Sequence, residues 1–174
     1  DALAPLLQSA TKIRFVDPYF DAAVQDFMDP MTEYIRRAQH RKTVTGLQLE
    51  IHFGLRKKAL NMPRGGGGTP TTLPALAQSK ISDCRTHVAP LLKHGVSLGI
   101  FAWGQGPTGI EMHNRYVLTE IGGVGVHHGL DQGIAAKAEL DDLTILSAEQ
   151  HAERWERHAS TSKIYTLHGQ ATLP

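Results

Sequence analysis

Apolar positions recur along this chain with two periods, and the alternation between them predicts the order of its elements. Residues 2–10 (ALAPLLQSA) carry a short helical pattern. Residues 12–16 (KIRFV) alternate polar and apolar as a strand does, stopping at Asp17-Pro18, where proline offers no ladder donor. Across residues 20–40, Phe20, Val24, Phe27, Met31, Tyr34, Ile35 and Ala38 fall mostly three and four apart, which predicts a helix. Pro30 is expected to split that helix, with Asp29 capping its second part. Residues 47–53 (LQLEIHF) alternate strictly and predict the second strand. Residues 54–74 have no periodic apolar face. With RKK at 56–58, four glycines at 65–68 and TPTTLP after them, they read as a long, flexible, basic loop.

The second half continues the alternation. Leu76, Ile81, Val88, Leu91 and Leu92 predict a helix over 73–94, with Gly95 as its left-handed stop. Residues 96–103 (VSLGIFAW) predict a strand and 104–109 (GQGPTG) a turn. Strands are expected at 113–119 (HNRYVLT) and 124–128 (VGVHH), with Gly122-Gly123 between them as a hairpin signal. A strand at 143–146, a helix over 148–160 rich in Glu, His and Arg, and a last strand at 163–167 complete the pattern. Helices alternating with strands, followed by a strand-rich stretch, predict an α/β fold with a mixed β-sheet flanked by helices. No internal repeat is visible.

Composition narrows the picture. At 174 residues, 41% hydrophobic and 20% charged, the chain suits one domain with one core. Its one cysteine, Cys84, excludes an intrachain disulfide and a thiolate metal cage. It reads as a buried inert thiol in a reducing compartment, so a cytoplasmic location is expected. Eighteen Lys and Arg against seventeen Asp and Glu give a net charge of +1. That excludes a strongly basic nucleic-acid coat but leaves room for a local basic groove. No apolar run approaches the roughly 18 residues of a membrane span. The chain starts at Asp1 without a basic segment leading into an apolar one, so it does not read as carrying a signal peptide. It reads as a terminal domain of a longer protein, whose flanking domains would be partners.

The chemistry concentrates in residues 111–131. On a strand, His113 and Arg115 leave the same face, an imidazole beside a guanidinium, which suits an anionic ligand. A solvated strand face looks the same. His127 and His128 are neighbours and would point to opposite faces, and His128, beside Gly129, is the one expected at the site. Arg56, Lys57, Lys58 and Arg64 of the long loop suit nucleic-acid phosphates, although an ordinary surface insertion also carries such residues. Asp17 is either a turn former or a carboxylate at the end of strand one, where α/β sheets hold ligands. Trp103 and Tyr116 fit the core better than a base-stacking platform. Ten histidines raise the question of zinc. There is no H-E-x-x-H and no pair backed by a third ligand, and His151 and His158 share a helix face with Trp155 and Arg154. No metal or other cofactor is expected.

The spacing H-x-R-(four residues)-E, followed by a glycine-rich turn and a strand ending HHGLD, resembles the phospholipase D-like superfamily, whose signature is H-x-K-(four residues)-D. DPYF at 17–20, HNRY at 113–116 and GLD at 129–131 more narrowly resemble the C-terminal domain of microtubule-interacting-and-trafficking (MIT) proteins and its bacterial relatives. The resemblance implies a phospholipase D-like sheet with a metal-independent phosphodiester site at its C-terminal edge. His113 would attack phosphorus and form a phosphohistidine, and Arg115 would hold the nonbridging oxygens. Glu120 takes the place of the motif aspartate and Asp131 lies near that of the family asparagine. His128 lies in the second half of the site, with Asp17 and Tyr19 orienting His113. One motif copy per chain implies a homodimer, so that two histidines face each other. Departures are Arg115 for lysine, Glu120 for aspartate and His128-Gly129-Leu130-Asp131 for the usual second half. The function implied is a nuclease or phosphodiesterase, for instance an effector domain in bacterial antiviral defence. The MIT-associated relatives imply instead a silent module that binds phosphorylated lipid, nucleic acid or a protein partner. A plain oligomerisation domain is the third reading.

Overall fold

Seven strands form one mixed sheet with helices on both faces, in a computed structural model that describes residues 3–61, 69–127, 130 and 143–174. The elements run α1 (Ala4–Ser9), β1 (Lys12–Val16), α2 (Gln25–Ala38), β2 (Gln48–Gly54), α3 (Leu73–His87) and β3 (Ser97–Gly104). There follow β4 (Tyr116–Thr119), β5 (Gly122–Val126), β6 (Leu143–Ile145), α4 (Ala148–Arg157) and β7 (Thr166–Leu173). Spatial order is β6-β5-β4-β1-β2-β3-β7. β1, β2 and β3 are parallel, while β4 and β7 add antiparallel strands on either side. The expected α/β class with a mixed sheet is what the chain adopts. No helix among the described residues is long and apolar enough to cross a membrane.

Strand alternation sorts two cores. Ile13, Phe15, Leu49, Ile51, Leu98 and Ile100 face one way, onto Leu7, Met31, Ile35, Leu76 and Ile81 from α1, α2 and α3. Val16, Phe101, Trp103, Tyr116 and Leu118 face the other way, under Trp155 of α4 and Tyr165. A capping box starts α4: Ser147 Oγ accepts from the Gln150 amide at 3.2 Å, and Gln150 Oε1 accepts from the Ser147 amide at 3.0 Å. Cys84 is buried in α3.

Several boundaries differ from the sequence reading, each for a physical reason. Pro30 does not split α2, which runs unbroken from Gln25. The missing N–H costs one bond, to the carbonyl of Asp26 in the exposed first turn. α3 ends at His87 and a 3-10 turn, Ala89–Leu91, takes over at Pro90. Gly95 is left-handed, φ +87°, as expected, but it follows that turn and does not end α3. β4 starts at Tyr116 rather than residue 113, because β1 ends at Val16 and Val16 pairs with Tyr116. His113 and Arg115 therefore stand on an irregular segment, not on a strand. The β4–β5 turn is Glu120-Ile121, with Thr119 opposite Gly122, so both glycines enter β5. A Cβ on Gly123 would lie 2.7 Å from Leu118 Cδ2. β7 begins at Thr166 and continues to Leu173 as a half-exposed edge held by β3, without the apolar alternation that marks a strand in sequence. In the basic stretch, Lys57–Ala59 forms a 3-10 turn; Arg64 lies outside the described residues.

Candidate phosphodiester site

The site is assembled where β1 and β2 end and β4 begins. Asp17, the residue after β1, is buried, and both its oxygens are engaged. Oδ1 accepts from the Tyr19 amide at 2.8 Å, and Oδ2 accepts from the Leu130 amide at 2.9 Å. Arg115 Nε lies 3.8 Å from Asp17 Oδ1. DPYF, HNRY and the leucine of GLD, far apart in sequence, thus meet at one carboxylate. Gly54 closes β2 against the same turn: its amide donates to Pro18 O at 3.2 Å, and a Cβ there would lie 3.0 Å from that oxygen.

Arg115 is held rather than free. Nη1 donates to His127 O at 3.1 Å, and the guanidinium carbon sits 4.8 Å from the centre of the Tyr19 ring. Its buried Nε makes no hydrogen bond. Beside it opens a cleft of about 290 Å³ lined by His113, Asn114, Arg115, His127, Gln150 and Arg154 among others. No carboxylate lines it among the described residues. Arg154 reaches in from α4, its Nε donating to Tyr116 Oη at 3.0 Å. His127 Nε2 and Thr144 Oγ1 share a hydrogen bond of 2.9 Å, which fixes the His127 ring. An imidazole pair, guanidinium donors and no lining carboxylate suit a phosphate.

The expected residues separate into those brought here and those not. His113, exposed, shares the cleft with Arg115. Asp17 and Tyr19 are at the site, but none of Asp17's contacts reaches His113; it holds the Tyr19 and Leu130 backbone and faces Arg115. Arg56 arrives through Tyr19, its guanidinium carbon 4.1 Å from the ring centre, while Lys57 and Lys58 are exposed next to it. Glu120 stands at the far end of β4, five residues and roughly 16 Å from Arg115. Its carboxylate accepts from Thr11 N at 2.5 Å, Thr11 Oγ1 at 2.9 Å and Lys12 N at 3.0 Å. Burial alone would raise its pKa, but these donors hold it below the usual carboxylate value. His128 and Asp131 lie outside the described residues, and it is the neighbouring His127 that lines the cleft. Arg154 and Gln150 escaped the sequence reading. They are four apart on one face of α4, the only signal the sequence offers. Trp103 and Tyr116 are core.

Behind the cleft, under α4, lies a buried polar network. Glu50 accepts from Arg14 Nε at 2.6 Å and pairs with Lys12 Nζ at 2.8 Å. Arg14 also donates to Trp155 O and stacks 3.7 Å over the Trp155 ring. Trp103 Nε1, which can only donate, lies 3.1 Å from His52 Nδ1, so His52 is neutral with its proton on Nε2, 3.2 Å from Glu50 Oε2. Burial lowers the pKa of His52 and takes that of His158 down to about 3. Burial alone would raise Glu50, yet its hydrogen bonds with His52 and Lys12 bring it to about 2. His151 Nε2 lies 2.7 Å from Thr119 O, so neither His151 nor His158 stands in a metal cluster among the described residues. Compared with known protein families, with curated proteins and with solved structures, the chain matches none.

Proposed function

We propose that this is a phospholipase D-like domain that binds phosphodiesters in the His113–Arg115 cleft and hydrolyses them without a metal. The observation that carries this reading is the meeting of DPYF, HNRY and the leucine of GLD at Asp17: parts of three motifs quoted for the family resemblance, joined by one buried carboxylate. Arg115, which lines the cleft, takes the nonbridging oxygens with its planar guanidinium. His113 attacks phosphorus as the leaving oxygen's bond breaks, and His127, across the cleft, gives that oxygen its proton. Water then cleaves the phosphohistidine and returns a proton to His127.

The test is cleavage of labelled single- and double-stranded DNA in excess chelator. The full chain is expected to cut, and His113→Ala is expected to bind without cutting. A second reading, binding without turnover, is favoured by one specific feature: Asp17 is committed to backbone and Arg115, so no described carboxylate orients His113. Binding that persists with no cleavage by either protein selects that reading. Absence of both binding and cleavage removes both.

A further inference from the structure

Tyr19 is not among the residues found lining the cleft, and two arginines share its ring. Arg56 stacks at 4.1 Å and Arg115 at 4.8 Å from the ring centre. Tyr19 is 38% exposed, but its backbone is pinned by Asp17. Arg56 follows β2 directly, and the Gly54–Pro18 contact brings its turn against the Tyr19 turn. Two like charges on one ring repel, and here each also keeps a buried nitrogen without a hydrogen bond, Arg56 Nη2 and Arg115 Nε. An anion between the two guanidinium groups would offset that repulsion. Asp17 is the only carboxylate either arginine approaches among the described residues, and it balances one charge of two.

We propose that Arg56 and Arg115 clamp a second phosphate across Tyr19, next to the one in the cleft, and that the ligand is a nucleic-acid strand. The inference rests on the phosphodiester reading above and extends it. Arg115 belongs to both places, so a ligand must offer successive phosphates on one backbone to fill them. A single phospholipid headgroup fills only the cleft. A strand also supplies bases that stack on guanidinium planes, and exposed Lys57 and Lys58 continue the positive track past Arg56.

The test is fluorescence anisotropy of the full chain with a labelled oligothymidylate of about 12 nucleotides over a salt series. Vesicles containing phosphatidylserine are sedimented with the protein in parallel. Arg56→Gln is expected to weaken oligonucleotide binding about tenfold. It should also make the salt slope shallower by about 0.7, one phosphate contact on a single strand. Tyr19→Leu should do the same and Tyr19→Phe should not, because the ring and not its hydroxyl holds the arginines. Arg56→Lys should keep the salt slope and lose affinity, which separates the charge from the stacked fork. Melting curves matching the parent's establish that each variant is folded. Unchanged affinity and slope in Arg56→Gln, with Arg115→Gln weakened, overturn the clamp and leave the cleft standing. No effect from either arginine overturns both readings. Vesicle binding without oligonucleotide binding overturns the nucleic-acid strand and makes a membrane the source of the phosphate.

Discussion

Glu120 illustrates how a residue at a motif spacing can serve the fold instead of the site. Its carboxylate takes three donors from Thr11 and Lys12 at the entry to β1, on the far end of β4 from Arg115. Glu120→Ala leaves those donors to water and removes charge-assisted bonds at an exposed turn. A stability loss of about 1–2 kcal/mol is expected in urea unfolding, with oligonucleotide affinity unchanged. A loss of affinity at unchanged stability would instead assign Glu120 the role its motif position implies. At this scale the sequence was legible where near neighbours decide. His113 and Arg115 share a cleft, although from an irregular segment and not a strand face, and Asp17 faces Arg115 without lining that cleft. It was illegible where a fold-back decides. His127 lines the cleft, the expected His128 lies outside the described residues, and Arg154 is delivered by a helix about forty residues downstream.

β1 and β2 were the most legible elements, since KIRFV alternates up to Phe15 and LQLEIHF alternates strictly, yet the work of their polar members was hidden. Lys12, Arg14, Glu50 and His52 have the pattern of a solvent face, and nothing in two short strands shows that α4 will cover it. Covered, they make stability depend on acid. His158 has its pKa lowered by burial from 6.5 to about 3, so as pH falls the unfolded chain takes the proton first. Its contribution is whole above pH 6.5 and is lost as pH falls toward 3. His52, buried neutral, acts in the same direction. Glu50, held at about 2 rather than 4.5, contributes fully above pH 4.5 and loses its contribution toward pH 2. Stability should therefore begin to fall below pH 6.5 and fall fastest between 4.5 and 3. Each group adds up to about 1.4 kcal/mol per pH unit. Urea midpoints across this range measure it, and His158→Phe should flatten the curve between pH 6.5 and 4.5. A parent midpoint independent of pH would show that these groups are not linked to folding.

At the scale of the whole molecule, the alternation of helices and strands made the α/β class legible, but strand order was not. β4 inserts beside β1 across about a hundred residues, and local periodicity carries no record of such a pairing. That insertion bears on how many chains one site needs. With one H-x-R motif per chain, the resemblance implies a second copy to supply the acid histidine. The sheet, however, sets β5 against β4, and so brings His127 into the cleft of the same chain that offers His113. If hydrolysis occurs by the route proposed, His127→Ala should lose about 100-fold or more in cleavage rate, the scale of a missing general acid, while still binding the oligonucleotide. Mixing His113→Ala with His127→Ala should restore nothing, because each chain then carries a defect in its own cleft. Specific activity of the parent should also be unchanged on dilution. A two-copy site predicts the reverse for the variant and for dilution: His127→Ala stays active, and dilution below the dimer's dissociation constant lowers the parent's specific activity.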